Sequence, residues 1–302
     1  MKLFNRMFAK KHHRYFIWLI MFILIGTIDN SPPITDVEPE IISKAIDARI
    51  FINKNQMQIS SDKNLEHIHG GLVPHHDVAH RMIGEFYEKL NKDIDLIILI
   101  GPNHSGKGPR YQAVGSSYIT HYGQVLPSPI FGELLNHKDV MIADAVMLRE
   151  EHSVGIHMNY IKAYYEDTPV LTLLVHETGG VHGVDQLVEK IKQLVDHKKV
   201  VVIGSVDFSH DLSLENANKK DQITKEILKN KSYKRLFNLN NDYLDSPTTA
   251  YMTIMLLRGM GFDHQVLLNE GNAALILNRP KMDATTSYLV YGYEKERPIQ
   301  LD

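Results

Sequence analysis

Asp95 and Gly101 bracket five consecutive aliphatic residues, 96–100. Such a run, stopped by Gly-Pro, predicts a strand buried on both faces, as in parallel sheets covered by helices. Residues 169–175 and 200–203 repeat the pattern, and 67–73 form a weaker run that ends at Pro74. Between them the spacing changes to three and four. Val78, Met82, Ile83, Phe86, Tyr87 and Leu90 share one helical face, as do Val184, Leu187, Val188, Ile191, Leu194 and Val195. Weaker helical periodicity covers 130–135, 154–165 and 216–229. Asp245-Ser246-Pro247 opens a further helix that closes at Gly261, with Pro at the first helical position. Residues 265–268 and 287–293 predict late strands, and the glycine-punctuated stretch 105–125 reads as loop. Strand alternating with helix predicts an α/β fold: a central, largely parallel sheet flanked by helices. The order of its strands is not legible.

In such sheets ligands bind beyond the carboxyl ends of the strands. Three apolar runs end in a small residue or proline and then a histidine: Pro74-His75, Gly101-Pro102-Asn103-His104, and Gly204-Ser205-Val206-Asp207-Phe208-Ser209-His210. Parallel strands would carry all three imidazoles to one edge. Imidazole is the commonest metal ligand and the usual acid or base near neutral pH. Each position also has a plain structural role open to it. His75 could cap the following helix, His104 could bond loop backbone, and Asp207 with His210 could stabilise a turn. Asp245 before Ser-Pro fits ordinary helix capping. His152 and His157, five apart on one segment, read as surface or core residues.

The amino terminus changes the picture of where the domain works. Residues 1–14 carry five basic side chains and no acid, and 15–28 are apolar or small. That run is short for a bilayer span of roughly 20 residues and matches the apolar region of a secretory signal. It reads as a signal peptide or membrane anchor (1–28). The polar, proline-bearing stretch 29–64 reads as a tether with a short helix around 41–48, and 65–302 as the α/β domain. The positive flank would stay in the cytoplasm and place the domain outside the cell membrane, or release it if the segment is cleaved. A net charge of −3 implies no general affinity for nucleic acid. With no cysteine, disulfides and thiolate metal sites are excluded.

Pro74-His75, Gly101-Pro102-Asn103-His104, Glu151-His152-Ser153-Val154, Ser205-Val206-Asp207-Phe208-Ser209-His210 and Thr286-Ser287-Tyr288 stand in an order that resembles the Memo family. Its bacterial members are also called AmmeMemoRadiSam system protein B. The similarity runs from about Leu72 to Tyr293. The family looks like the LigB-type, class III extradiol dioxygenases in fold. The resemblance implies a metal pocket lined by His75 and His104, with Asp207 and His210 beside it. Where the family has a cysteine, this chain has Asp245 or its neighbour Ser246. Where the family usually has a second glutamate after Glu-His-Ser, it has Val154-Gly155.

A set of His75, His104 and Asp245 would match the two-histidine, one-carboxylate arrangement of non-haem Fe(II) oxygenases. It would favour Fe(II), with Zn(II) or Mn(II) as other candidates. His210, held by Asp207, would be the acid or base. Two readings follow: a metal-dependent, dioxygenase-type enzyme, or a non-catalytic module that binds metal, peptide or a small ligand on the same fold.

Overall fold

The computed structural model describes residues 67–176 and 180–296, with the backbone of 41–42. The apolar run at 15–28 and nearly all of the tether lie outside these residues. Among the described residues no helix is long and apolar enough to cross a membrane.

β1 (Ile41–Ile42) is a strand where the pattern suggests the start of a short helix. Its backbone pairs in parallel with Tyr118 and Ile119. β2 (Gly70–Val73) stops at Pro74, and a 3-10 turn, Asp77–Ala79, leads into α1 (His80–Lys89). α1 buries Met82, Ile83, Phe86 and Tyr87, the face that the spacing predicts. β3 (Leu96–Pro102) follows. The stretch that reads as loop holds β4 (Tyr111–Val114), β5 (Tyr118–Thr120) and β6 (Gly123–Val125). Strands of three or four residues are too short to show a period, and sheet pairing settles them. α2 (Ile130–Leu134), β7 (Val140–Ile142), α3 (Ala145–Glu150) and α4 (His152–Tyr165) lead to β8 (Val170–Val175). α5 (Val181–Val195) crosses to β9 (Val200–Ser205). α6 (Leu214–Lys229), α7 (Tyr233–Phe237) and α8 (Pro247–Gly259) precede β10 (His264–Asn272), α9 (Ala273–Ile276) and β11 (Ser287–Glu294).

The main sheet has the order β10-β11-β2-β9-β3-β8-β4-β7. Its centre, β2, β9, β3 and β8, is parallel. β4 runs antiparallel to β8 on one side, and β11 antiparallel to β2 on the other. β2 and β3 are parallel, as their connection by a helix predicts, but β9 lies between them.

Alternation along β3 divides the core into two layers. Leu96, Ile98 and Ile100 join the side chains of α5 and α8; Ile97 and Leu99 join those of α1 and α4. All five are fully buried, so truncating any of them to alanine costs about 2–5 kcal/mol. Two glycines let helices reach the sheet's carboxyl edge. A Cβ at Gly101 would sit 2.7 Å from Ser153 Oγ and 2.8 Å from Val154 Cγ1, at the start of α4. A Cβ at Gly204 would collide with Thr253 of α8 and lie 2.9 Å from Leu72. Both helices therefore press their amino-terminal halves against strands that end at one edge.

Candidate metal centre

β2, β9 and β3 are adjacent and parallel, so the residues after them emerge together. Pro74-His75 follows β2, Asn103-His104 follows β3, and Asp207 and His210 follow β9. Asp245 arrives from the turn before α8. Its backbone N–H donates to Asp207 O at 3.0 Å, and Phe208 bridges Leu244 beside it. α4 contributes its first residue, His152, and its capping residue, Glu151. The imidazole nitrogens of His75, His104 and His152 lie within 4.8 Å of one another. The His104 and His152 rings stack at 4.4 Å, and His75 meets both edge-on at 5.2 Å.

The partners of each ring fix its tautomer. The Ser205 hydroxyl donates to Ser153 O at 2.6 Å, so at 2.9 Å from His75 Nδ1 it can only accept. His75 therefore carries its proton on Nδ1 and bares Nε2. The Glu151 carboxylate lies 2.8 Å from His104 Nδ1, and its other oxygen accepts the His104 backbone N–H at 2.8 Å. His104 is held the same way, with Nε2 bare. This carboxylate–histidine pairing is the usual support of a metal-bound imidazole.

Asp245 Oδ2 lies 3.1 Å from His75 Nε2 and 3.6 Å from His104 Nε2. Both Asp245 oxygens are buried, and neither is aligned for a hydrogen bond. Two nitrogen lone pairs facing an unsatisfied buried carboxylate repel one another unless something positive lies among them. Protons or a metal ion meet that need, and the donor set of imidazole and carboxylate suits a divalent cation.

The electrostatics agree. Burial would raise Asp245, but the imidazoles of His75 and then His104 hold its carboxyl below the ordinary range. Asp207 is raised, chiefly by burial and against the pull of His75. Burial also opposes charge on His104, yet the carboxylates of Asp245 and Glu151 raise it to about 10. Glu151 falls to about 2: burial opposes this, and the His104 ring with the Ser153 and His104 N–H groups overcomes it. His152 goes the other way, to about 4, through burial and the charges of His75 and His104.

The sequence-predicted residues His75, His104, Asp207 and Asp245 are thus together. Asp207 gives Oδ1 to the His75 backbone N–H at 3.0 Å, and Oδ2 lies 3.8 Å from His75 Nε2. Its hydrogen bond secures His75, and His210 acts on it through charge. His210 Nε2 is buried without a hydrogen-bond partner, and its charge acts on Asp245 too. His157 is a core residue, with Tyr87 Oη 3.2 Å from its Nδ1. His152 is not the surface or core residue that its position on the segment suggests, because it joins His75 and His104. Glu151 and Ser205 also escape sequence reading. A usable signal exists for His152 and Glu151. A helix leading into a parallel strand must start at that strand's carboxyl-edge side, so the residues opening α4 belong at the site.

Beside the cluster a cavity of about 290 Å³ is lined by His75, His152, Tyr118, Leu148, Gly155 and others. Gly155, where the resemblance anticipates a glutamate, leaves a Cβ position with nothing within 4 Å.

The profile of the Memo-like protein family matches residues 43–266. The chain belongs to that family. Memo-family relatives include a MEMO1 family protein of Methanococcus vannielii, 29% identical over 170 residues, which are 53% of this chain and 59% of the relative. A MEMO1 family protein of Methanococcus maripaludis is 24% identical over 232 residues, 74% of each chain. One of Desulfurococcus amylolyticus is 26% identical over 176 residues, 55% of this chain and 61% of its own. The chain spans less than two thirds of the first relatives' length, 59% and 58%. The Memo match begins at residue 43, next to β1 and upstream of Leu72. The α/β architecture is also consistent with the LigB-like resemblance.

Proposed function

We propose that this Memo-family protein is a metal-dependent enzyme of the non-haem oxygenase type, with His75 Nε2, His104 Nε2 and Asp245 as ligands and His152 as an additional donor. The observation that carries the reading is the pair of Nδ1-anchored imidazoles turned toward an unsatisfied buried carboxylate. Fe(II) is the favoured ion, with Zn(II) or Mn(II) as the others that suit this donor set; a bound ion would supply Lewis acidity, and Fe(II) a route to oxygen chemistry. The protein's own groups do the rest. Glu151 and Ser205 hold the two rings, Asp207 fixes the turn that presents His75, and His210 offers an unpartnered Nε2 as acid or base. The substrate is a small molecule that enters by the cavity.

The test is metal content of the purified full chain, followed by O₂ uptake with catechol-type substrates after anaerobic loading. One ion per chain and substrate-dependent uptake support the proposal. Failure to retain stoichiometric metal ends it. A second reading, a non-catalytic metal- or ligand-binding module, draws on the hydrogen bond that Asp207 gives to His75. His210→Ala separates the two: an enzyme loses turnover and keeps its metal, whereas a binding module has no turnover to lose. Localisation is a proposal of the same standing: the basic head and apolar run hold the domain at the outer face of the cell membrane. Protease accessibility of intact cells tests it.

A further inference from the structure

We infer that the Tyr118 hydroxyl is the anchoring donor for the far end of the ligand, and that the ligand is a small carboxylate with a second oxygen function for the metal. The inference rests on the metal-centre reading above. Tyr118 is 2% exposed and its hydroxyl is buried without any hydrogen-bond partner. Buried hydroxyls are almost always paired, and an unpaired one is costly. The side chain borders the same cavity as His75 and His152. That cavity supplies the space in which a partner would sit. Tyr118 is a phenol beside the Glu151 carboxylate, which with burial keeps it protonated and therefore a donor. What it lacks is an acceptor, and the wall offers it none.

The cavity sets the rest of the description. Leu148 and Ile156 give it an apolar side, so the ligand has a hydrocarbon body. Arg149 also lines it and is exposed, while Asp77 and Glu150 balance that charge. The neutral phenol, not the net charge, is therefore what selects an acceptor oxygen. Gly155 lies on the helix α4 that forms one wall, with room for a Cβ that the chain does not use. Glycine inside a helix is unfavourable relative to alanine, so its retention here is explained by the space it leaves. β1 and β5 pair beside Tyr118, which ties the strand carrying the phenol to the segment entering the domain.

The experiment uses the full chain loaded with one equivalent of metal. Succinate, glutarate and adipate are titrated against butyrate, in the native protein, Tyr118→Phe and Gly155→Ala. One oxygen end can reach the metal and the other the phenol only in the dicarboxylates. The expected result is that at least one of them binds roughly tenfold tighter than butyrate, an advantage that Tyr118→Phe removes. Metal stoichiometry and melting temperature stay as they were. Gly155→Ala leaves the fold at least as stable and weakens the same dicarboxylate. The inference is overturned by a dicarboxylate advantage that survives Tyr118→Phe, or by no advantage over butyrate in the native protein. Metal retained in either outcome leaves the metal-centre reading standing; loss of metal binding in the native protein ends that reading instead.

Discussion

The two halves of the metal centre are built in opposite ways. His75, Asp207 and Ser205 form a dry half, each at most 2% exposed, held by β2 and β9 at the middle of the sheet. His104 and His152 form a wet half, with side chains 34% and 59% exposed, held by the chain after β3 and the start of α4. The dry half cannot lose a member without stranding buried charge. The wet half can, because water replaces what is removed. The difference suggests a division of labour: one half is set when the chain folds, and the other faces the cavity where a ligand arrives.

The sharpest way to break that contrast is to remove one histidine from each half. His75→Ala is expected to abolish metal binding and to cost about 3–5 kcal/mol of stability, since Asp207 and Asp245 are left with uncompensated burial. His104→Ala should abolish metal binding as completely but cost only about 0–1 kcal/mol. Metal analysis and urea denaturation of the two variants check this. Equal losses of stability would show that the halves are alike. Next in size is Glu151→Gln, which keeps the shape but weakens the grip on His104 Nδ1. A fall of about 10–100-fold in metal affinity is expected by competition with a chelator. Gly101→Ala tests how the wet half is positioned. Its Cβ would sit 2.7 Å from Ser153 Oγ, so about 1–3 kcal/mol of stability is expected to be lost in thermal unfolding.

The smallest effect concerns His157, on the same helix as His152 but inside the core. Burial, with the charge of His75, lowers it to about 3 from its usual 6.5. Tyr87 is its hydrogen-bonded neighbour. Its neutral form is the one the fold favours, so its share of stability is complete above pH 6.5. As the pH falls from 6.5 towards 3 the unfolded chain takes up the proton first, and that share is lost. In metal-free protein, His157→Gln should flatten the dependence of the urea midpoint on pH across this window. An unchanged slope would mean that His157 does not contribute.

Much of this is legible in the chain before any coordinates. Leu96 to Ile100 is buried from end to end as its aliphatic run predicts, and the histidines after β2 and β3 come together because those strands are parallel. The strands β4 to β6 were out of reach, because three or four residues carry no period and their pairing comes from distant segments. His152 is harder for a different reason. Its segment is amphipathically weak and almost wholly buried beyond its first residue, so local pattern marks a core helix. Only the path of that helix into β8 tells that its first turn opens at the site. Tyr118 needed the cavity to be seen at all.

The most direct measurement of the central claim is the coordination of a single metal ion in the loaded protein, by anomalous diffraction at the metal edge. The account predicts one ion within about 2.0–2.2 Å of His75 Nε2 and His104 Nε2, with an Asp245 oxygen in contact. An ion held through Nδ1 of either ring, or bound away from these three residues, would contradict it.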